Sequence, residues 1–376
     1  MLGRSARVLA EVAREAGHAP WVIDLFGDAD TRACAMGIVT LSPTRAFGFR
    51  QRELLSAIEA LQQRAGPMPV VPGSAFEATP ATLARIATRW PTLACDAQVY
   101  QALLDPPRLW RVLRRAHDIA TPDTRWTPPR APRAWLLKRA GGSGGDHLRP
   151  ATRVAGARDY FQRRHGGQSL SASFLSAGTR CRLVGIAAHL RWHARDGYRY
   201  EGARALARPS RALESATLRI GMALTARLGL RGLWGFDFLL DAAGEVTLVD
   251  INPRPPVTLE LWSDRASVFD AHLAACASGT LLYSRPRRET ERAHLVLYAE
   301  ASWRASANIR WPAWVADRPA SGVDVPRGAP LCTLLADGRD EHELAARLTR
   351  RYARLRRMLG LEHVLPPAIR IRSMGG

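Results

Sequence analysis

The residues best suited to chemistry begin with a single lysine. Lysine and arginine together number 54, and only Lys138 is lysine, so the other 53 are arginine (54 − 1). Lys138 lies in "WLLKRAGGSGGDHLR", residues 135–149, three positions before Gly141, Gly142, Gly144 and Gly145, which surround Ser143. A loop without Cβ atoms can bring its backbone N–H groups against phosphate oxygens. A compact ammonium meets phosphate as a point charge, a role the flat guanidinium fork does not copy. Taken alone, a glycine cluster is most often a flexible turn; the lysine on the strand before it is what points to phosphate.

The order of these residues excludes three common phosphate motifs. A P-loop places lysine directly after the last glycine, whereas Asp146 follows here. A dinucleotide fingerprint needs its glycines between a strand and a helix, and "DHLRPATRV" offers no good helix start. A protein kinase carries its glycines well before the lysine strand.

The second constellation is acidic: "GLWGFDFLLDAAGEVTLVDINPRP", residues 232–255. It reads as two strands joined through Ala242, Ala243, Gly244 and Glu245. Alternation puts Asp237 and Leu239 on one face, with Trp234, Phe236 and Phe238 on the other. Leu248, Asp250 and Asn252 share a face of the second strand. With a four-residue loop Asp237 faces Asp250 and Leu239 faces Leu248; a five-residue loop would put the carboxylates on opposite faces. Opposed carboxylates on a half-buried sheet resist ionisation unless positive charge lies between them. With Asn252 they form an oxygen-only set of the kind Mg²⁺ (or Mn²⁺) shares with substrate phosphates. The plainer alternative is a pair of solvated aspartates at strand ends.

Elements that position these residues are legible along the chain. Residues 4–17 read as a helix, "PWVIDLFGDAD" as a strand and acidic loop, 51–65 as a helix, "MPVVPGSAFE" as a strand, and 80–89 as a helix. This alternation predicts a small parallel α/β domain over residues 1–100, with ligands at the C-terminal ends of its strands. Asp24, Asp28, Asp30 and "GSAFE" then share one neighbourhood. Residues 101–280 form a second unit, opening with a helix at 106–117. Strands follow at "AWLLKRA", "SLSASFLSAG", "CRLVGIAAHLRW" and the acidic hairpin, interrupted by a helix at 210–228. Residues 281–376 read as a small β-rich domain with a basic helix at 340–358. The fold class is therefore α/β, becoming α+β in the central part.

The chain has 376 residues and a formal charge of +20, with 47% hydrophobic and 23% charged residues. That describes a globular protein with ample core. No apolar run is long enough to span a membrane, and "MLGRSARVLAEVAREAGH" lacks a signal-peptide core, so the expected compartment is the cytoplasm. Cys34, Cys95, Cys181, Cys276 and Cys332 are odd in number and far apart, implying neither disulfides nor a thiolate zinc site. His147, His189 and His193 show no partner pattern and read as structural. The scattered arginines suit a generally basic surface or a specific polyanion site.

Lys138 before "GGSGG", together with "GFDFLLDAAGEVTLVDINPRP", resembles the ATP-grasp superfamily. "DLFGDADTR", "GSAFE", "GQSLSASFL" and "GAPLCTLLADG" further resemble a subgroup of carboxylate–amine ligases, or carboligases, associated with one-carbon cofactor pathways. The resemblance implies an N-terminal pre-ATP-grasp domain, an ATP-grasp domain and a small C-terminal domain. It implies ATP and Mg²⁺ as cofactors. Lys138 would contact the α/β-phosphates, and Gly142, Ser143 and Gly144, flanked by Gly141 and Gly145, the β/γ-phosphates. Asp237, Asp250 and Asn252 would bind Mg²⁺, and Arg254 would face the γ-phosphate or acyl phosphate. Several positions depart from the family. Asp250 stands where glutamate is common, Arg108 where a second lysine is usual, Gln162 where a hinge glutamate sits near adenine, and Ser169 where a glutamate contacts ribose. The first strand, expected before "GRSARVLAE", is almost absent: only Met1 and Leu2 precede it. Either the native start lies upstream or the sheet has lost an edge.

The resulting expectation is an ATP-dependent ligase that converts a carboxylate to an acyl phosphate for attack by an amine. Its partners are small molecules, the arginine excess favouring a polyanionic one; neither a membrane nor nucleic acid is an expected partner, and a homodimer is compatible with the reading. The alternatives are a bicarbonate-using carboxylase, a basic nucleic-acid-binding protein, and a nucleotide-binding regulator without turnover.

Overall fold

The computed structural model describes residues 1–44, 47–152, 155–191 and 198–361. His193 lies outside them. The N-terminal region is built on parallel pairing: Trp21–Asp24 pairs with Gly37–Thr40. Leu2 bridges in parallel to both Ile23 and Pro72, and Val70 to Thr92. The expected first strand is therefore present as a single residue, and it lies at the centre of the sheet rather than at a lost edge. "MPVV" likewise contributes isolated bridges instead of a ladder. Helices Arg7–Glu15, Gln51–Ala65 and Pro80–Ala87 cover this sheet, near their expected bounds.

Two antiparallel sheets follow. A four-stranded sheet has the order Thr124–Arg125, Asp159–Arg163, Trp135–Arg139, Arg149–Pro150. An eight-stranded sheet has the order Val246–Asn252, Gly232–Leu240, Gln168–Ala177, Arg180–His189, Gly202–Ala205, Glu291–Tyr298, Pro330–Gly338, Val315–Ala316. The strands after residue 290 thus continue the sheet that carries the acidic hairpin.

Helix Arg211–Leu228 is set by local chemistry. Ser210 Oγ accepts from Leu213 N at 3.2 Å, and Gly229, at φ +69°, ends it in a left-handed cap. Its apolar face packs Leu213, Ile220 and Leu224 with Phe174, Trp234, Phe236 and Phe238 of the sheet. Phe174 and Trp234 stack at 4.8 Å. Each of these buried aromatics contributes about 1.5–3 kcal/mol of transfer free energy, and together they fix which face of the hairpin is core. The opposite face packs Leu175, Val184 and Leu233 against Val268 and Phe269 of helix Arg265–Ser278. Helix Glu341–Met358 closes the molecule, N-capped by Asp340.

Candidate active site

The hairpin sets the acidic pair in place, by a different route from the one expected. Leu240 pairs with Val246, so the loop is the five-residue Asp241–Glu245 rather than four residues. Phe238 then faces Leu248 and Leu239 faces Thr247, correcting the predicted Leu239–Leu248 pair. A β-bulge at Val249 restores the register, so Asp237 faces Asp250, Phe236 faces Ile251 and Gly235 faces Asn252. Leu248 joins the aromatic core with Ile251 instead of sharing the face of Asp250 and Asn252.

Val249, unpaired in the ladder, offers its carbonyl to Lys138: Nζ donates to Val249 O at 3.2 Å and to Gln162 Oε1 at 3.4 Å. Lys138 is only 3% exposed. Burial disfavours its ammonium, but Tyr160, Asp250 and Asp237 outweigh that and raise its pKa, so it stays charged. Asp237 is pushed up to about 7, first by burial and next by Asp250, with Lys138, Arg254 and Asn252 acting against both. The lysine therefore supplies part of the positive charge that the opposed carboxylates need.

A pH signature follows. Asp237 holds its proton to higher pH when folded than its unfolded value of about 3.9, so the metal-free protein loses stability as pH rises from about 4 to about 7. Asp237→Asn should melt above wild type at pH 8 without metal and match it at pH 4. A melting difference independent of pH would contradict this.

Beyond Asp250 the chain is tied down at several points. Asn252 Nδ2 donates to Asp237 Oδ2 at 3.4 Å, while its Oδ1 accepts from Arg254 Nη2 at 3.4 Å. Arg254 Nε meets Glu77 Oε1 at 2.5 Å, and Tyr100 donates to Pro253 O at 2.9 Å. Glu77 and Arg254 are both largely buried, and each favours the other's charged form.

The glycine loop closes over this array. Gly141 (φ +75°) and Gly145 (φ +81°) adopt left-handed backbone. A Cβ on Gly141 would lie 2.7 Å from Ala78 Cα, and one on Gly145 would lie 1.8 Å from Tyr198 O. The loop is thus pressed onto the N-terminal region on one side and onto the Tyr198–Arg199 segment, ahead of strand Gly202–Ala205, on the other. Asp146 anchors it through Arg199 at 2.6 Å. Among the described residues the N–H groups of Ser143, Gly144 and Gly145 make no hydrogen bond, and Ser143 Oγ is buried without a partner. His147 packs under Gly142; burial and then Lys138 hold its pKa down at about 4, so the ring is neutral at pH 7.

The remaining expected residues are placed less centrally. Gln162 is buried beside Lys138, with its Nε2 unpartnered. Ser169 is bonded to His189 Nδ1 at 2.9 Å, and His189 Nε2 is 3.8 Å from Asp237 Oδ1. Arg108 is exposed in the first turn of helix Pro106–His117, where its amide donates to the capping Asp105. Asp24 precedes Leu25, whose N donates to Arg4 O at 3.0 Å, and Arg4 N donates to Ser74 Oγ at 3.2 Å, so Asp24 and the start of "GSAFE" flank one loop. Asp28 and Asp30 extend this acidic group. They gather near Arg7, which is 2% exposed and pairs with Asp317 at 2.8 Å, Glu260 at 2.5 Å, Glu11 at 3.1 Å and Asp30 at 3.9 Å. Burial, Asp317, Asp30 and Asp24 push Asp28 up to about 9. Glu260 continues to His294 Nδ1 at 3.1 Å, and His294 Nε2 to the Tyr200 hydroxyl at 2.5 Å. Tyr200 packs edge-on against His189. Sequence patterning missed Glu77 as Arg254's partner, and it missed Tyr160, Tyr200 and His294.

Orphaned amides above a buried lysine and opposed aspartates fit a magnesium-bound polyphosphate. Among the described residues no group of three His, Cys, Asp or Glu side chains could hold a metal unaided.

Residues 108–258 match a model of the ATP-grasp domain, and the fold is an ATP-grasp fold. Among solved structures it is similar to biotin carboxylase from Campylobacter jejuni, in complex with β-γ-ATP, at TM-score 0.71 and 12% identity over 93% of this chain and 89% of that one. It is also similar to N5-carboxyaminoimidazole ribonucleotide synthetase from Thermus thermophilus, at TM-score 0.68 and 17% identity over 97% and 99%. A third likeness is the biotin carboxylase domain of 2-oxoglutarate carboxylase from Hydrogenobacter thermophilus, in complex with MgADP and bicarbonate. It has TM-score 0.71 and 12% identity over 93% and 88%. No curated protein matches the sequence. No helix of the described residues is long and apolar enough to cross a membrane.

Proposed function

We propose that the protein is an ATP-dependent ligase that activates a carboxylate as an acyl phosphate and transfers the acyl group to an amine. The observation that carries this reading is the buried Lys138, bonded to the Val249 carbonyl and within electrostatic reach of the Asp237–Asp250 pair, next to a loop whose amides are unbonded among the described residues. Lys138 would hold the α/β-phosphates, and the amides of Ser143 and Gly144 beside Gly142 the β/γ-phosphates. Asp237, Asp250 and Asn252 would hold Mg²⁺, which neutralises phosphate charge when bound. Arg254, fixed by Glu77, would face the transferred phosphoryl group.

A carboxylate oxygen bonds to the γ-phosphorus as the bond to ADP breaks. The amine nitrogen then bonds to the acyl carbon, phosphate departs, and the amine proton passes to solvent. Positioning and electrostatics supply most of the acceleration, which accords with a neutral His147. The motif resemblance supports a place in assembling a one-carbon carrier cofactor.

Hydroxylamine trapping tests the reaction. Candidate acids, bicarbonate among them because the similar structures include carboxylases, are incubated with Mg-ATP and hydroxylamine. One acid should give hydroxamate and ADP in equal amounts, and an amine should replace hydroxylamine. Formation of AMP and pyrophosphate, or ADP release without any acid, would overturn the reading; capture of bicarbonate alone would make it a carboxylase.

A further inference from the structure

The N-terminal sheet contains a topological reversal. Across it the parallel segments run Gly37–Thr40, Trp21–Asp24, Leu2, Val70–Pro72, Thr92, so the winding direction changes between Leu2 and Pro72. Ligand crevices in such sheets open beyond the carboxyl ends of the two strands flanking the reversal. Here those strands lead into Gly3–Arg4–Ser5 and Gly73–Ser74–Ala75. The two loops are joined: Gly73 N donates to Leu2 O at 2.6 Å, and Arg4 N to Ser74 Oγ at 3.2 Å. Ala75 sits at φ +99°, a conformation costly for a residue with a Cβ, and its N–H donates to Glu77 Oε2 at 2.9 Å. Glu77 in turn holds Arg254. The crevice at the reversal therefore opens toward the end of the nucleotide site where the acyl group would form.

The charges there are unequal. Arg254 is committed to Glu77, whereas Arg4 makes no side-chain hydrogen bond or ion pair among the described residues, and its Nε is buried without a partner. Arg4 lies within electrostatic reach of Glu77, Arg254 and Asp146. Glu77 is committed to Arg254 and Asp146 to Arg199, which leaves the Arg4 charge without a partner of its own among the described residues. Its buried Nε favours a partner able to accept a directed, charge-assisted hydrogen bond.

We propose that the acid co-substrate lies in this crevice and carries a second anionic group, held by Arg4, while its reacting carboxylate reaches toward Arg254 and the aspartate pair. The proposal rests on the ligase reading for its orientation. It assigns the acid to the class of dicarboxylates or phosphorylated carboxylic acids.

The test is calorimetric titration of the full chain, with Mg-AMPPNP present, using glutarate, 4-phosphonobutyrate and the monoacid valerate. Glutarate or 4-phosphonobutyrate should bind about 10- to 100-fold more tightly than valerate, the span of one hydrogen bond to a charged group. Which of the two gains distinguishes carboxylate from phosphate. Arg4→Gln should reduce that acid to the affinity of valerate, Arg4→Lys should recover part of it, and Mg-AMPPNP binding should be unchanged in both. A preference that survives Arg4→Gln, or no preference in the wild type, would overturn the proposal. Failure of the wild type to bind Mg-AMPPNP would instead strike the ligase reading, and a diacid preference lost with Arg4 would still sustain the subsite.

Discussion

Lys138→Met should lower acid-dependent ADP release by about 10²–10³-fold, the usual cost of removing one preorganised charge from a transferring group. Two effects converge. The phosphate loses its buried cation, and Asp237 loses one of the groups that hold its pKa down. The midpoint for Mn²⁺ binding should therefore move to higher pH in the variant. Lys138→Arg should not restore activity, because the buried Nζ is held by Val249 O and Gln162 Oε1 as a compact ammonium, a geometry the planar guanidinium fork does not reproduce. Wild-type activity in Lys138→Arg would mean that the site reads charge alone. Asp250→Ala works in the opposite electrostatic sense: it removes a neighbour that raises Asp237, so the remaining carboxylate should ionise at lower pH while metal binding weakens.

Arg7→Met should destabilise the fold by about 3–5 kcal/mol, since removing one member of a buried ionic group strands the others. Glu11, one turn along the same helix, and Asp30, Glu260 and Asp317, from three other stretches of chain, all meet Arg7. Burial opposes the Glu260 carboxylate, yet Arg7 and His294 together hold its pKa well below the usual range. That contribution is fully present above a pH of about 4.5 and is lost as pH falls through the depressed folded value. The loss in Arg7→Met should accordingly be largest near pH 7 and smaller at pH 4, where the stranded carboxylates take up protons. Urea unfolding at both pH values measures it, and an equal loss at both would show that packing, not charge, is what Arg7 provides.

The grouping of Lys138, the glycine loop and the aspartates at the candidate site was legible in the sequence because its signals are local. Lys138, the glycines and the aspartates sit in two short stretches with distinctive composition, and helix Pro106–His117 is announced by Asp105 and two prolines. What the sequence did not carry depends on distant chain segments. Glu77 is 177 positions from Arg254, and His294 is 94 from Tyr200; no spacing rule links them. Leu2 bridges two strands as a single residue, too short for alternation to register. Helix Arg265–Ser278 escaped because its apolar residues do not gather into one stripe. The opposed aspartates were expected for a partly mistaken reason: the loop is longer than assumed, and the bulge compensates.

That bulge separates two tasks that a regular hairpin would combine. Were Val249 simply deleted, alternation would run unbroken from Leu248 through Asp250 to Asn252, and Asp237 would still have its acidic partner opposite. The additional residue is therefore not needed to face the carboxylates toward each other. Its carbonyl, released from the ladder, is free to act as a ligand for the ammonium of the only lysine in the chain. One spare peptide unit thus turns a piece of sheet backbone into a fixed seat for the buried ammonium, without the use of a side chain.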